Sequence, residues 1–328
     1  MQKISHSLPS LFSDPARQTE LVRMMRLEAL QAKHKGRPFV FDEGNLRYMY
    51  FNLKSVQSAM KINAPDELVC GYTRGMMAFL MANPAPQHIL MIGLGGGSLL
   101  KFCYRHLPDC RITVLEIDAD VIALRDQFMV PADDARLQII HADAIEYLAN
   151  INANNNANVS QFDVILLDGF SIEGLVQELN STSFYASCYA ALSAQGCLVV
   201  NMWGKRKFLL PALTALRTQF EQNVWWCRSL DSYNLLVFCF KSDTTGFTSE
   251  MAAKAQQLDQ ALPLQLEKLN AGMHTLRIQI EAQDQSDVWI TEEYEAREMI
   301  ALSRNLAAIM VTDASLPRND VEWSLAHQ

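Results

Sequence analysis

Between Arg37 and Ile62 apolar and polar positions alternate with a period of two, through PFVFDEG, NLRYMYFN and KSVQSAMKI, with turn signals at Glu43-Gly44-Asn45 and Asn52-Leu53-Lys54. Alternation sends successive side chains to opposite faces, so the pattern predicts a small antiparallel β-module. Upstream, a loose arm leads into ARQTELVRMMRLEALQAK, whose apolar positions fall on one side of a helix. Pro65-Asp66-Glu67 reads as the capped start of a second helix, LVCGYTRGMMAFLMANP, which ends before Pro84-Ala85-Pro86. The pattern then changes again. Uncharged runs in HILMIG, RITVLEID, LQIIHAD, FDVILLDGF and GCLVVNMWG alternate with helical segments, the signature of parallel strands buried on both faces. QNVWWCRSL and NLLVFCFKS, joined through Asp231-Ser232-Tyr233, predict two last strands that insert an antiparallel strand into the parallel sheet. INANNNANVS reads as a solvated surface connection. From Thr245 the chain turns polar and helical, in EMAAKAQQLDQALPLQLEKLNAGMHTLRIQIEAQ and ITEEYEAREMIALSRNLAAI.

This divides the chain into an arm and helix (1–36), the β-module with its linking helix (37–84), a Rossmann-like catalytic domain (85–244) and a C-terminal helical extension (245–328) that covers the sheet or forms a dimer surface. A hydrophobic fraction of 49% over 328 residues suffices for a sizeable core. The net charge of −8, with no basic run longer than Lys205-Arg206-Lys207, argues against a nucleic-acid surface. Seven cysteines without CxxC spacing read as reduced core residues, and seven histidines show no metal-ligand spacing. No apolar leader and no membrane-length apolar run is visible, so a cytoplasmic protein is expected.

The chemistry gathers between Ile89 and Asp168. The run ending at Ile92 meets Gly93-Leu94-Gly95-Gly96-Gly97, a tight strand-to-helix turn whose helix starts near Ser98. Such a turn leaves backbone N–H groups free, and glycine lets a ligand approach the main chain. Glu116 ends the next strand, where a carboxylate accepts two hydrogen bonds from a ribose diol. Asp143 and Asp168 end two further strands. In an open α/β sheet these ends converge on one crevice. Asp143 is suited to accept from an adenine amine while the Ala144 N–H donates to a ring nitrogen; Asp168 is suited to attract an amine and take its proton. Each aspartate also suits a helix N-cap. Trp203, at a strand end near the crevice, is the aromatic residue to watch. The paired last strands are the ending used by adenosyl-sulfonium transferases rather than dinucleotide dehydrogenases.

From about Phe39 to Trp203 the sequence resembles the spermidine/spermine synthase family, the polyamine aminopropyltransferases. The matching stretches are PFVFDEG through Ser55-Val56-Gln57, Tyr72 with Met76, ILMIGLGGGS, VLEID, HADAIEYL, FDVILLDGF and SFYASCYAALSAQGCLVV. The resemblance implies a seven-stranded, Rossmann-like adenosylmethionine-dependent transferase fold with a small N-terminal β-module and a C-terminal helical appendage. It implies Glu116 and Asp143 as nucleoside contacts, Gln57 near the substrate and Asp168 as the catalytic aspartate; Gly93, Gly95, Gly97, Ile117 and Ala144 are the further residues expected at the nucleoside, and Tyr72 and Glu173 those expected at the substrate. Three departures stand out. Gly96, Ser171 and Arg74 occupy positions where that family carries acids, and Arg74 is expected to repel a cationic acceptor. Glu173 and Glu178 are the candidates to substitute.

The expected activity is transfer of an aminopropyl group from decarboxylated S-adenosylmethionine to a small-molecule amine, releasing methylthioadenosine, by a homodimer needing no metal. Alternatives are a methyltransferase using intact S-adenosylmethionine and a catalytically silent nucleoside-binding protein.

Overall fold

The computed structural model describes residues 15–276 apart from 54, 154–161, 172, 173, 205, 233 and 246. The N-terminal arm, Glu173, the last predicted helix and all but the first three residues of the Asn-rich connection, which extend a helix instead, therefore lie outside the described residues.

Helix α1 (Pro15–His34) leads into three antiparallel strands, β1 (Phe39–Glu43), β2 (Leu46–Asn52) and β3 (Ser55–Lys61), as the period-two pattern predicts. Alternate residues Phe39, Phe41, Leu46, Tyr48 and Tyr50 form a small core with Leu27 of α1. The rest of the helix is less tightly covered: Leu21, Val22 and Met25 are exposed.

The next helix corrects the sequence reading. It does not begin at Pro65-Asp66-Glu67; α2 spans Gly71–Met76, without a side-chain cap, and continues as a 3-10 turn over Met77–Met81. Both acids are engaged elsewhere. Asp66 pairs with Arg105 and His106, and Glu67 pairs with Lys61.

The main sheet follows in chain order as β4 (His88–Ile92), α3 (Ser98–His106), β5 (Arg111–Glu116), α4 (Ala119–Ala123), β6 (Leu137–His141), α5 (Ala144–Ala153) and β7 (Phe162–Leu167). A two-residue hairpin, β8 (Phe170–Ser171) with β9 (Gly174–Leu175), precedes α6 (Thr182–Ala191), β10 (Leu192–Met202), α7 (Arg206–Phe220), β11 (Val224–Arg228) and β12 (Leu235–Phe240). Helices α8 (Phe247–Ala261) and α9 (Leu266–Ala271) and strand β13 (His274–Thr275) complete the described chain.

The strand order is β13-β11-β12-β10-β7-β4-β5-β6. The seven expected strands are all present, with β12 antiparallel between β10 and β11. An eighth joins them: β13 pairs with β11 through Trp225 and Trp226, in a stretch that the sequence reading made helical. Each central strand feeds both layers. Ile89 and Met91, Val164 and Leu166, and Cys197 and Val199 pack on the side of α3, α8 and α9. Leu90 and Ile92, Ile165 and Leu167, and Leu198 and Val200 pack on the side of α5, α6 and α7. Fully burying one such side chain contributes about 1.5–3 kcal/mol, so the uncharged runs hold the strand ends in fixed register.

Candidate active site

The strand ends are fixed by backbone bonds that continue the ladder beyond the strands. Gly93 N–H donates to Leu115 O (2.9 Å), Asp168 N–H to Ile92 O (3.0 Å) and Ala142 N–H to Glu116 O (3.0 Å). This brings Glu116, Asp143 and Asp168 to the wall of one cavity of about 750 Å³. Every other predicted site residue in the described chain except Gly97 also lines it: Gly93, Gly95, Ile117, Ala144, Gln57 and Tyr72. Gly97 sits behind it as the N-cap of α3. Trp203 is half-buried after β10 and does not line the cavity.

The glycines of the turn differ in what they do. Gly93 (φ 97°) lies so close to β7 that a Cβ would fall 2.5 Å from Asp168 O, so this glycine serves backbone approach. Gly95 (φ 48°) has open space, the nearest atom to a Cβ being Ser58 Cβ at 3.9 Å. Gly97 is left-handed (φ 67°) and offers α3 no side-chain cap, which leaves the first-turn N–H groups without a side-chain acceptor, and Ser98, Leu99 and Leu100 line the cavity. At Gly96 a Cβ would meet Ser58 Oγ at 2.6 Å and the Phe128 ring at 2.7 Å. The neutral residue there is thus matched to its neighbours.

Glu116 is buried, and its carboxylate bridges the turns on either side. Oε2 accepts from Leu94 N–H (2.8 Å) and Oε1 from Asp118 N–H (2.9 Å). These bonds fix the carboxylate plane and leave each oxygen a lone pair for a hydroxyl. Asp143 does cap a helix: Oδ1 accepts from Ile145 N–H (2.7 Å) at the start of α5, which leaves Oδ2 for another donor. Ile117 is 65% exposed between these acids and presents an apolar surface to the cavity.

Asp168 sits half-buried at the end of β7. Burial raises its carboxyl above the ordinary range, while hydrogen bonds from the Asn201 amide and the Tyr72 hydroxyl act in the opposite direction. Asn201 Nδ2 donates to Oδ1 at 2.8 Å. The Tyr72 phenol is held well above its usual range by burial and by the adjacent Asp168, so it is a permanent donor here. Asn201 in turn accepts from Asn234 Nδ2 (2.9 Å). Sequence reading passed over both asparagines. The signal was a lone amide in the apolar run GCLVVNMWG; its partner lies 33 positions on and is joined to it only by the β10–β12 pairing.

Arg74 is not where the sequence reading put it. Its guanidinium donates to Asp231 Oδ2 (2.7 Å) and to Leu68 O and Val69 O, and it does not line the cavity. A paired arginine turned away from the site exerts little repulsion on a bound cation, which removes that argument about the acceptor. Glu178 is exposed at the cavity wall. Among the described residues no cluster of three or more His, Cys, Asp or Glu is placed to hold a metal ion, and no helix is long and apolar enough to cross a membrane.

Comparison with known proteins bears on this geometry. The spermine/spermidine synthase domain model matches residues 70–250. A polyamine aminopropyltransferase of Neisseria meningitidis is 34% identical over 237 residues, covering 71% of this chain and 88% of that protein. The structure of a probable spermidine synthase from Corynebacterium glutamicum aligns with 76% of this chain and 95% of its own at a TM-score of 0.55, with 17% identity. Human methyltransferase-like protein 13, in complex with SAH, aligns with 67% and 98% at a TM-score of 0.53, with 24% identity. These two structures share the fold of the main sheet. Over most of the sheet and the strand ends that carry the three acids, the chain belongs to the spermine/spermidine synthase family.

Proposed function

We propose that this protein transfers the aminopropyl group of decarboxylated S-adenosylmethionine to an amine, releasing methylthioadenosine. The observation that carries this reading is the charge of the cavity. Its described lining includes Glu116, Asp118, Asp143, Asp168 and Glu178, and no lysine or arginine. The donor is a dication, with a sulfonium and a terminal ammonium, and the acceptor is cationic in water. Carboxylates offset the hydration both lose on entry. Intact S-adenosylmethionine adds a carboxylate, for which this lining provides no cationic partner.

In this reading Glu116 accepts from the ribose hydroxyls, Asp143 and the Ala144 N–H read the adenine edge, and Ile117 covers its face. The turn at Gly93, Gly95 and Gly97 admits the nucleoside close to the main chain. Asp168, with Tyr72 and Gln57 beside it, receives the acceptor. A protonated amine has no lone pair, so Asp168 takes its proton. The freed lone pair then forms a bond to the propyl carbon next to sulfur. The carbon–sulfur bond breaks with its electrons going to the sulfonium, which leaves as the neutral thioether. Alignment of nucleophile and leaving group contributes most of the acceleration.

The acceptor end of the described cavity offers Asp168 and the exposed Glu178. With Gly96 closed in by Ser58 and Phe128, we propose an acceptor other than the short diamine putrescine. Calorimetry with methylthioadenosine and both forms of adenosylmethionine tests the donor. Tighter binding of the decarboxylated form is expected, whereas preference for the carboxylated form would point to methyl transfer. A parallel panel of putrescine, cadaverine, spermidine and a neutral amine tests the acceptor; efficient turnover of putrescine would refute that part.

A further inference from the structure

The hydrogen bonds behind Asp168 close into a circuit. Asp168 accepts from Asn201 Nδ2, Asn201 Oδ1 accepts from Asn234 Nδ2, and Asn234 Oδ1 accepts from Ser232 Oγ at 2.7 Å. Ser229 N–H donates to Asn234 O at 3.0 Å, and Ser229 Oγ to Asp231 Oδ1 at 3.2 Å. Asp231 then pairs with Arg74 on α2, two residues from Tyr72, whose hydroxyl returns to Asp168. Asn201 and Asn234 are both buried, at 3% and 8% exposure.

Two features make this circuit directional. An isolated amide next to a carboxylate can turn either face to it, but an Asn201 whose oxygen already receives Asn234 Nδ2 has only its N–H groups left for Asp168. Asn234 thereby fixes the orientation that favours the charged carboxylate. Its own position depends on the turn between β11 and β12, and Arg74 clamps that turn. The Asp231 carboxylate sits directly over the bare α-carbon of Gly71, in space that any side chain at position 71 would fill. The Arg74 Nε, buried without a partner, marks the desolvation that the pair and the two carbonyl contacts offset.

We infer that Asn234, acting through Asn201, and the Arg74–Asp231 pair are positioning residues that hold Asp168 and Tyr72 in the geometry needed for proton transfer. This rests on Asp168 being the proton acceptor. Among the described residues, Tyr72 and Cys70 interact with Asp168 and both are neutral at working pH, while Glu178 stands exposed on the same cavity wall. Burial raises the phenol well above its usual range and pushes the thiol up to about 12; Arg74 and Asp231 act on Cys70 with opposite signs.

The test compares wild type with Asn234→Leu, which keeps the shape but removes the donor, and with Asp231→Asn, which keeps the shape and weakens the clamp. Freed from Asn234, Asn201 no longer presents N–H alone. The acid limb of the kcat/KM profile should move up by about one pH unit and neutral kcat should fall ~10-fold, the scale expected when one hydrogen bond to a charged group is lost. Affinity for methylthioadenosine should be unchanged. The Asp168 carboxyl, followed by carbon-13 NMR and assigned with Asp168→Asn, should titrate upward in step; this readout needs no turnover. If Asn234→Leu does not fold, Asp231→Asn carries the same test with a smaller shift. An Asp168 titration that stays put in the folded variants, while wild type transfers aminopropyl groups, overturns the inference. A titration that moves in a wild-type background without transfer supports the positioning and overturns the proposed reaction instead.

Discussion

At the scale of single residues, the site rests on two carboxylates held in opposite ways. Glu116 is tied to two backbone N–H groups, whereas Asp168 is held half-buried against an amide and a phenol. Glu116→Gln should weaken methylthioadenosine binding by ~10- to 100-fold, the scale of a lost charged acceptor. It should also lower stability, because its amide NH₂ would face a backbone N–H; calorimetry and thermal melts check the two effects. Asp168→Asn should keep the fold and nucleoside affinity while turnover drops by about 10²-fold or more, as for a positioned acid or base. Loss of its melting transition would instead assign Asp168 a structural role. Because burial raises the Asp168 carboxyl, wild-type activity should be lost on acidification at a higher pH than for an ordinary aspartate. Arg74 shows why residue-level reading has a limit. Its type and spacing suggested a free cation, but the partner that neutralises it lies 157 positions away.

At the scale of elements, periodicity was a good guide wherever burial is continuous. The β-module was legible from its alternation and the seven strands from their apolar runs, because a face packed into the core selects apolar side chains whatever it packs against. The start of α2 was not legible, since Pro65-Asp66-Glu67 satisfies the local rules for a cap while tertiary ion pairs claim both acids. The edge strand β13 is two residues long and owes its pairing to Trp225 and Trp226, so no local pattern marks it. The glycine turn was legible as a motif, yet its members have different tasks. Gly95→Ala should cost only about 1–2 kcal/mol for its left-handed backbone and mainly weaken nucleoside binding. Gly93→Ala should damage the fold itself, since its Cβ would strike the Asp168 carbonyl. Melting and calorimetry on the pair separate the two tasks; equal losses of stability would contradict the distinction.

Helix α3 carries a second testable device. Lys101 is buried, donates to Phe128 O (2.7 Å), and burial pulls its amine down to about 7. Between that value and the ordinary lysine range the unfolded chain holds a proton that the folded chain does not, so stability should rise as pH increases through this window. Lys101→Met should abolish that rise, as read from denaturant melts at pH 7 and 10. A parallel rise in both proteins would show that Lys101 is not its source.

At the scale of the whole molecule, the sheet gathers acids from three separate strands at one cavity, and the described lining supplies no basic residue. That arrangement was largely readable in advance, because strand ends in an open α/β sheet converge regardless of sequence distance. What the sequence concealed was the support behind Asp168, which depends on the antiparallel return of β12. The most direct test of the account supplies decarboxylated S-adenosylmethionine, labelled in its propyl chain, with the panel of amines and follows the label. The account predicts stoichiometric release of unlabelled methylthioadenosine with the label bonded to an amine, and loss of both in Asp168→Asn. Tight binding of the donor with no label transferred to any amine, or methyl transfer from intact S-adenosylmethionine instead, would contradict it.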